Sequence, residues 1–412
     1  NALNTTAHNM SNLDTEGYTR QQVAQGTRPY ITIATSRPNW QQIGLGVNYS
    51  LTRQERDYFL DLNYRRESGR NAYYEVATNT MEEIEYVLGE SNEGHEFSES
   101  LANFWTAIQE LSKDPTSSVN QNLFVTRALE FTTRASAVYT SLCQYQDNLN
   151  TSIVKEVNNI NKYAQEIEDL NERIVAIEAG KERANDLRDR RNLLLDKLAQ
   201  LGNISYREDA TGYVSVRFED VDLVKGGLVN KMELYTDPKT GFYTPYWKML
   251  ANPSYDEKGN LVVTEAGIRQ AKVFDLDRQI SSDLNTDIGG LKATLLARGD
   301  HRADYRDVAN KDVYNSNDSI VSQSVIMNVQ AEFDQLIHNI ATKINEILGT
   351  AAGVETADGT GKAGAGNGFE FIDKDGKTVV MKDARVCRAD SDGYMRKDDG
   401  SPIEMFTTRS GS

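Results

Sequence analysis

The stretch "FVTRALEFTTRASAVYTSLCQYQDNL", residues 124–149, decides the fold because its apolar residues recur at alternating spacings of four and three. These positions are Phe124, Ala128, Phe131, Ala135, Val138, Leu142, Tyr145 and Leu149. Such a heptad pattern is typical of a helix that buries one seam against another helix. The seam continues through Ile153, Val157, Ile160, Ala164, Ile167, Ile174 and Ile177. It therefore predicts a helix over 124–177, about 80 Å long.

The residues after this helix predict a helical hairpin. The segment "AGKERAND", residues 179–186, interrupts the pattern, and Gly202 closes a second helical stripe. The stripe consists of Leu187, Arg191, Leu194, Leu198 and Leu201. Because a compact domain does not need a single rod of this length, we expect the two helices to pack antiparallel.

A third long seam lies between residues 325 and 347. Its members are Val325, Val329, Phe333, Leu336, Ile340, Ile344 and Ile347. Since this stripe has to be buried, we expect the helix to return alongside the first one. The residues between the hairpin and this helix would then be an insertion into a helical bundle.

Two shorter amphipathic helices are predicted before the long seam. The first begins at Tyr73 and stops at Gly89. Its apolar stripe is Val76, Ala77, Met81, Ile84, Val87 and Leu88. The second precedes the stop signal "KDPTSS", and its stripe is Leu101, Phe104, Trp105, Ile108 and Leu111.

The inserted residues change to the alternating pattern of β-strands. Residues 203–218 and 232–247 each alternate around a turn that ends in glycine. This pattern predicts two β-hairpins with turns at Asp209–Gly212 and Asp237–Gly241. Helical character resumes at 288–300, in "IGGLKATLLARGD".

The expected fold class is mainly α with β-rich parts. We expect an elongated multi-domain rod in which a long antiparallel helical bundle or coiled-coil domain carries inserted β-hairpins. An outer β-rich domain would follow the glycine-rich boundary after Leu348. The composition, with 39% hydrophobic and 26% charged residues, fits elongated domains with thin cores.

The charge and the apolar content argue against two kinds of interaction. Lys and Arg number 45 against 61 Asp and Glu, so the net charge is −16 and opposes the binding of a phosphate backbone. The longest run of leucines is Leu193 to Leu195, and no apolar run approaches the roughly 20 residues that a bilayer span needs. We therefore expect no nucleic-acid partner and no membrane insertion.

The sequence offers no catalytic or metal-binding set. The four histidines, His8, His95, His301 and His338, have no second His or Cys at ligand spacing. Neither a phosphate-binding glycine loop nor a nucleophile elbow occurs. We expect no metal, no cofactor and no enzymatic activity.

Two further sets of residues favour structural roles. The segments "FIDKDGK" and "RADSDGY" resemble calcium loops, but Phe371 and Arg388 stand where the first carboxylate ligand is needed. We interpret them as Asp-Gly turns. Cys143 and Cys387 lie in unrelated contexts, so the sequence predicts no disulfide between them.

The N-terminal stretch "NMSNLDTEGYTRQQV", residues 9–23, predicts a helix, a turn and an extended arm. Asn9 and Asn12 can bind backbone groups at a helix end, and Gly17 can adopt a positive φ there. Tyr18 and Arg20 would then lie on the extended arm. This arrangement is common and by itself has no unique function.

The same stretch resembles the N-terminal signature of the bacterial flagellar axial proteins, the family of rod, hook and hook-associated proteins. The signature is typically Asn-x-x-Asn-x-x-Thr-x-Gly-Tyr-x-Arg-Gln. The residues that match it, and that the resemblance implies as an assembly motif, are Asn9, Asn12, Thr15, Gly17, Tyr18, Arg20 and Gln21.

Four more stretches are similar to the hook-associated members of this family. They are "GLGVNYSLTRQERDYFLDLNYR", "NDLRDRRNLLLDKLAQL", "IGGLKATLLARGD" and "FDQLIHNIATKINEIL", in this order between residues 44 and 348. The residues that carry the family pattern are Gly44, Gly46, Arg56, Asp57, Asp189, Arg191, Gly290 and Arg298. The set in this order is more specific than the first signature alone.

The resemblance implies a division into four parts. Residues 1–35 would be the N-terminal axial assembly segment, with an inner-tube helix and an arm. A helical rod domain would span 36–200 plus 270–348, and residues 201–269 would be its β-hairpin insertion. Residues 349–412 would begin an outer β-rich domain.

The resemblance also implies a structural protein of the flagellum that joins hook to filament. Expected partners are the hook protein, the second hook-filament junction protein, further copies of the chain in a ring and a flagellar export chaperone. The expected location is extracellular, at the hook-filament junction, after export through the type III apparatus without a cleaved signal peptide. In that class the terminal segments become ordered on assembly.

Three alternatives stay open at this point. The chain could be another flagellar axial protein, either a hook protein or a flagellin-like one. The outer β-rich region could act as an adhesin or binding module. An enzyme inserted in the outer domain would need a catalytic set, and the sequence contains none.

Overall fold

The computed structural model describes residues 2–34, 41–89, 97–180, 182–251, 253–255, 261–276, 278–309 and 320–351, and four short strands beyond them. The chain forms two compact units. The first comprises Asn1–Ala303 and Lys311–Val329, and the second comprises Asp304–Asn310 and Gln330–Ser412.

The described residues are mainly helical. The helices are α1 (Ala2–Ser11), α2 (Tyr58–Leu88), α3 (Phe97–Lys113), α4 (Ser118–Glu178), α5 (Asn185–Leu201), α6 (Glu265–Gln270), α7 (Gly290–Arg298), α8 (Tyr305–Ala309), α9 (Ile320–Gln323) and α10 (Val325–Ala351). Together with the antiparallel sheets described below, they confirm the fold class that the sequence predicts.

The strands are short and all antiparallel in the described residues. They are β1 (Gln21–Thr27), β2 (Ile31–Ala34), β3 (Gln41–Ile43), β4 (Val47–Gln54), β5 (Ile204–Glu208), β6 (Val214–Phe218), β7 (Val221–Lys225), β8 (Leu228–Val229), β9 (Met232–Thr236), β10 (Tyr243–Trp247), β11 (Pro253–Tyr255), β12 (Leu261–Val263), β13 (Glu370–Ile372), β14 (Thr378–Val380), β15 (Arg388–Ala389) and β16 (Met395–Arg396). Strands β5 to β8 form a four-stranded sheet, and the others pair as β1-β4, β2-β3, β9-β10, β11-β12, β13-β14 and β15-β16.

The predicted long helix and hairpin are confirmed. Helix α4 has 61 residues, a length of about 90 Å at the usual helical rise. The Ser117 side chain caps its start by accepting a hydrogen bond from the backbone amide of Asn120. Helix α5 packs back against α4, and Gly202 follows its last turn.

The buried seam of α4 follows the predicted positions from Phe124 to Ile174 with one exception. Tyr145 is only half-buried, and Gln146 occupies the buried position next to it. The Gln146 side-chain amide donates hydrogen bonds to the carbonyl oxygens of Arg298 (2.7 Å) and His301 (3.1 Å). A satisfied polar side chain therefore replaces the apolar residue that the heptad predicts. Ile177, also predicted in the seam, is 41% exposed.

The two shorter helices differ from the prediction at their starts and on their faces. Helix α2 begins at Tyr58 and not at Tyr73, because the Asp57 carboxylate caps its first turn by accepting hydrogen bonds from two backbone amides. Its first half is rich in arginine and carries little apolar periodicity. Met81 on α2 and Trp105 on α3, both predicted to be buried, are 55% and 60% exposed.

Both predicted β-hairpins are present. In β5-β6 Ile204 pairs with Phe218, and in β10-β9 Met232 pairs with Trp247. The apolar faces of these strands share one core with α4, α5 and α7. The sequence did not predict β7 and β8, nor the ribbon of β1 to β4.

Three asparagines on α4 fix strand backbones to the helix. Asn171 donates to the carbonyl of Val214 (2.9 Å) and accepts from its amide (3.1 Å). Asn161 makes the same pair with Met232, at 2.9 Å for each bond. Asn150 accepts from the amide of Tyr243 at 2.8 Å. Side-chain amides can do this because each carries both a donor and an acceptor.

The second unit contains α8 and most of α10. The backbone amide of Tyr305 donates to Asp334 Oδ2 at 2.9 Å, and the Tyr305 ring stacks on His338 with centroids 4.0 Å apart. Helix α10 confirms the helix predicted over 325–347, but Leu336 of its stripe is 41% exposed. That α10 returns alongside α4 stays a prediction. The Asp-Gly turns predicted at Asp375 and Asp392 lie outside the described residues.

Candidate functional site

The N-terminal motif forms the predicted helix, turn and arm. Helix α1 ends at Ser11, residues 12–17 turn, and β1 begins at Gln21. Asn9 joins the two ends: its side-chain oxygen accepts hydrogen bonds from the Tyr18 hydroxyl (2.7 Å) and the Gln21 amide (2.9 Å). Its side-chain nitrogen donates to the Gln21 carbonyl at 2.9 Å. The His8 ring nitrogen lies 2.9 Å from the same Tyr18 hydroxyl.

The turn is built by the remaining amide and hydroxyl of the motif. The Asn12 side chain donates to the His8 carbonyl (3.0 Å), and the Thr15 hydroxyl donates to Asn12 Oδ1 (3.3 Å). Gly17 has φ +78°, a conformation that side-chain-bearing residues rarely adopt. The motif therefore specifies a defined loop.

This loop packs on α5. A Cβ added at Gly17 would lie 3.0 Å from Leu193 Cβ, so a side chain there would press on that helix. Glu16 and Lys197 form an ion pair at 3.6 Å. The Gln21 side chain donates to Asp186 at 3.3 Å. Arg20 instead lies on the surface, 3.9 Å from Glu55 and 74% exposed.

The start of α2 completes the site. Arg56 pairs with Asp61 at 2.7 Å and donates to the Thr19 hydroxyl at 3.4 Å. Burial raises the pKa of Asp189, which faces Thr19, and outweighs the opposing effect of the Thr19 hydroxyl and of Arg56. Burial and the nearby Asp189 also raise the pKa of Tyr18. The site is thus a polar junction that joins α1, β1, α2 and α5.

The strands leaving the junction are tied to α5 as well. The Gln54 side chain donates to the Asn185 carbonyl at 2.9 Å, and the Asn185 side chain donates to the Thr52 carbonyl at 3.3 Å. These contacts hold the base of the β1-β4 ribbon. Gly44 and Gly46 lie farther along the ribbon, where Gly46 has φ +78°.

Arg191 stabilises the turn of the β5-β6 hairpin. It is almost fully buried and donates to Asn171 Oδ1 (2.9 Å) and to the Gly212 carbonyl (2.7 Å). Burial lowers its pKa to about 10. Its neighbour Arg188 pairs with Glu178 at 2.6 Å. These contacts fasten the β5-β6 turn to the α4-α5 hairpin.

Gly290 and Arg298 lie on α7, in the helical core. At Gly289, which precedes Gly290, an added Cβ would lie 2.5 Å from Gly202 Cα, so a side chain is not tolerated there. Arg298 donates to Asn150 Oδ1 (2.8 Å) and to the Tyr243 carbonyl (2.6 Å). Burial lowers the pKa of Arg298 to about 10. It thus satisfies a strand carbonyl and the side-chain oxygen of Asn150 inside the core.

The structure therefore brings some of the family-pattern residues together and separates others. Asp189, Arg56 and Asp57 lie at the junction with the motif, whereas Gly44, Gly46, Arg191, Gly290 and Arg298 lie elsewhere in the same unit. Sequence reasoning missed the motif's contacts on α5, namely Asp186, Leu193 and Lys197. No local signal could reveal them, since Gln21 and Asp186 are 165 positions apart.

Other chemistry is not evident in the part of the chain that the structure describes. No group of three or more His, Cys, Asp or Glu side chains there could hold a metal ion. Among the same residues, no helix combines the length and apolarity that crossing a membrane requires.

Comparison with known proteins identifies a family match. The model of the flagellar hook-associated protein FlgK helical domain matches residues 81–364. The chain is 29% identical over 213 residues to flagellar hook-associated protein 1 of Bacillus subtilis, covering 51% of this chain and 42% of that protein. It is 26% identical over 237 residues to the protein of the same name from Salmonella typhimurium, covering 56% and 41%.

A solved structure is also similar. The flagellar hook junction protein FlgK from Burkholderia pseudomallei superposes with a TM-score of 0.41 and 18% identity, covering 58% of this chain and 39% of that one. The chain spans about two fifths of the length of the curated relatives named above, since the matches cover 42% and 41% of them.

Proposed function

The chain belongs to the family of the flagellar hook-associated protein FlgK helical domain, and from this premise we propose that it assembles on the tip of the bacterial flagellar hook and permits filament attachment. The family match over 81–364 carries the proposal. The role is structural, and we propose no catalytic step and no cofactor.

The junction at α5 supports this proposal from the residues themselves. Helix α1 has no buried residue. The segment that contains it is held in place by the hydrogen bonds of Asn9 and by the close contact of Gly17 with Leu193. Leu3, Met10 and Leu13 in this segment are highly exposed. Apolar side chains on a helix without a core of its own are typical of a surface that contacts another protein. We infer that the motif orients α1 toward neighbouring subunits.

The proposed partners are the hook protein, the second hook-filament junction protein, further copies of this chain in a ring and an export chaperone. We propose an extracellular location at the hook-filament junction, reached by export without a cleaved signal peptide. In this arrangement residues 1–35 act as the assembly segment, and 36–200 with 270–348 form the rod domain around the insertion at 201–269. Residues 349–412 begin the outer domain.

A deletion strain tests the proposal. Electron microscopy of cells that lack the gene should show hooks without filaments, and a plasmid copy should restore filaments. A copy with Arg207→Glu, a change at an exposed position on β5, is the control and should restore them equally. Normal filaments in the deletion strain would refute the proposed function.

A further inference from the structure

The ribbon of β1 to β4 is a basic segment on an acidic protein. Its described residues, 20–34 and 41–54, contain three arginines, Arg20, Arg28 and Arg53, and no lysine, aspartate or glutamate, although the whole chain has a net charge of −16. We call these residues the basic ribbon. Their charge of +3 leaves −19 on the other residues. Such segregation favours binding to a surface of opposite charge.

The basic ribbon exposes apolar side chains as well as charge. Tyr30, Ile31, Ile43, Leu45 and Val47 are each between 42% and 65% exposed. Ile31 and Ile43 are cross-strand partners, so they form a continuous apolar pair. None of the ribbon residues with described side chains is buried. A two-stranded ribbon of this kind is only marginally stable in water unless another surface covers it.

A surface with the opposite charge lies on α2. Residues 71–89 contain four glutamates and no aspartate, lysine or arginine. Three of these glutamates, Glu75, Glu82 and Glu85, are exposed. In the described residues, none of these three has a cation within ion-pair distance. We call the surface that they form on α2 the acidic face.

The acidic face also exposes apolar side chains. Tyr74, Met81 and Tyr86 lie on the same side of α2 as the glutamates, because their spacings of seven and of five residues keep them within about 140° of one another. They are 48%, 55% and 63% exposed. The acidic face therefore matches the basic ribbon in both charge and apolar content.

We propose that the basic ribbon of one copy docks on the acidic face of a second copy of this chain. The ribbon joins α2 at Asp57, whereas the acidic face is centred near Thr80, about 35 Å farther along the same helix. Two complementary surfaces at different places on one chain form a head-to-tail contact that repeats from copy to copy. This inference rests on the proposed assembly with further copies and identifies the surfaces that meet.

Zero-length cross-linking tests the contact. The basic ribbon has no lysine, so Arg28→Lys and Arg53→Lys introduce amines that carbodiimide can join to a carboxylate in contact. The full chain is labelled with ¹⁵N, mixed with unlabelled chain, cross-linked and digested. We expect mixed-isotope peptides that join position 28 or 53 to Glu75, Glu82 or Glu85. Links confined to one chain, or only to carboxylates outside the acidic face, would overturn the inference.

Charge reversal gives an independent measurement. Arg28→Glu with Arg53→Glu, and separately Glu82→Lys with Glu85→Lys, should each weaken self-association in sedimentation velocity by about tenfold. The combination of all four should restore it to within about threefold. Arg207→Glu with Lys231→Glu makes the same charge change as the ribbon pair, at exposed positions outside both surfaces, and should have no effect.

The outcomes separate this inference from the proposed function. A chain that restores filaments in the deletion strain but yields no intermolecular link between basic ribbon and acidic face overturns the inference and supports the proposed function. A chain that yields the link but does not restore filaments supports the contact and refutes the proposed function. Equal self-association of all the charge variants would also overturn the inference.

Discussion

The side-chain oxygen of Asn9 lies 2.7 Å from the Tyr18 hydroxyl, and this pair closes the loop between α1 and β1. The same oxygen also accepts the backbone amide of Gln21, whose carbonyl accepts from the Asn9 nitrogen. One side chain thus satisfies both backbone groups of the first strand residue. The helix and the arm are joined by hydrogen bonds, without a buried core.

Replacing Asn9 should loosen the arm. Asn9→Ala removes three hydrogen bonds, and at about 1 kcal/mol for a net hydrogen bond the Gln21 amide should exchange with deuterium at least about fivefold faster. Exchange mass spectrometry of the N-terminal peptide measures this. Asn4→Ala, at an exposed position of the same helix, is the control and should leave the rate unchanged. Unaltered exchange in Asn9→Ala would contradict the assigned role.

Replacing Gly17 should undock the turn. Gly17→Val places a β-branched side chain at φ +78° and against Leu193, at a cost of about 1 to 3 kcal/mol. We predict that filament attachment is lost in a complementation assay. The helical circular dichroism signal of the chain should stay unchanged, because the α4-α5 hairpin remains folded. The control is Gly26→Val, where an added Cβ meets nothing within 4 Å. Full attachment with Gly17→Val would be inconsistent with the docked turn.

Removing Asn171 should destabilise the helix-sheet contact. Asn171→Leu removes the partner of the buried amide and carbonyl of Val214 and one acceptor of the buried Arg191, which should lower the free energy of unfolding by about 3 kcal/mol. Urea denaturation followed by circular dichroism measures this change. Asn159→Leu, on the exposed side of α4, should change it by less than about 0.5 kcal/mol. If Asn171→Leu lowered the free energy of unfolding by no more than the control does, the assigned contact between Asn171 and Val214 would be refuted.

Glu156 should make the unit less stable as the pH rises. Burial raises its pKa from 4.5 to about 7, despite the hydrogen bond from the Thr294 hydroxyl. The folded state therefore holds this proton more tightly than the unfolded state, so stability falls between pH 4.5 and about 7.

The variant Glu156→Gln isolates that effect. It cannot ionise, so at pH 8 it should be more stable than the parent by about 3 kcal/mol, with little difference at pH 4.5. Urea denaturation at a series of pH values measures this. Glu172→Gln, at an exposed position of the same helix, should follow the parent at every pH. If the free energy of unfolding of Glu156→Gln changed with pH in the same way as that of the parent, the raised pKa assigned to Glu156 would be contradicted.

The parts of the fold that the sequence predicts are those with a strong local period. The seam from Phe124 to Ile174 and the turns that end in Gly212 and Gly241 depend on residues close together in the chain. Gln146 departs from the seam because its partners, Arg298 and His301, come about 150 positions later. The first half of α2 carries no apolar stripe, so only the cap at Asp57 marks its start.

The site was predicted only in part for the same reason. Asn9, Gly17 and Gln21 could be identified because the motif is contiguous and resembles a family signature. Leu193 and Asp186 on α5 contact the motif, but no sequence pattern links them to residues 9–21. Such contacts form by packing between distant segments, and a single sequence does not encode their pairing in any local spacing.

The location of the chain on the flagellum tests the central claim most directly. Immunogold labelling of isolated hook-filament assemblies, with an antibody against the chain, shows where it sits. We predict gold particles confined to the boundary between hook and filament. Labelling distributed along the filament, or absent from that boundary, would contradict the account.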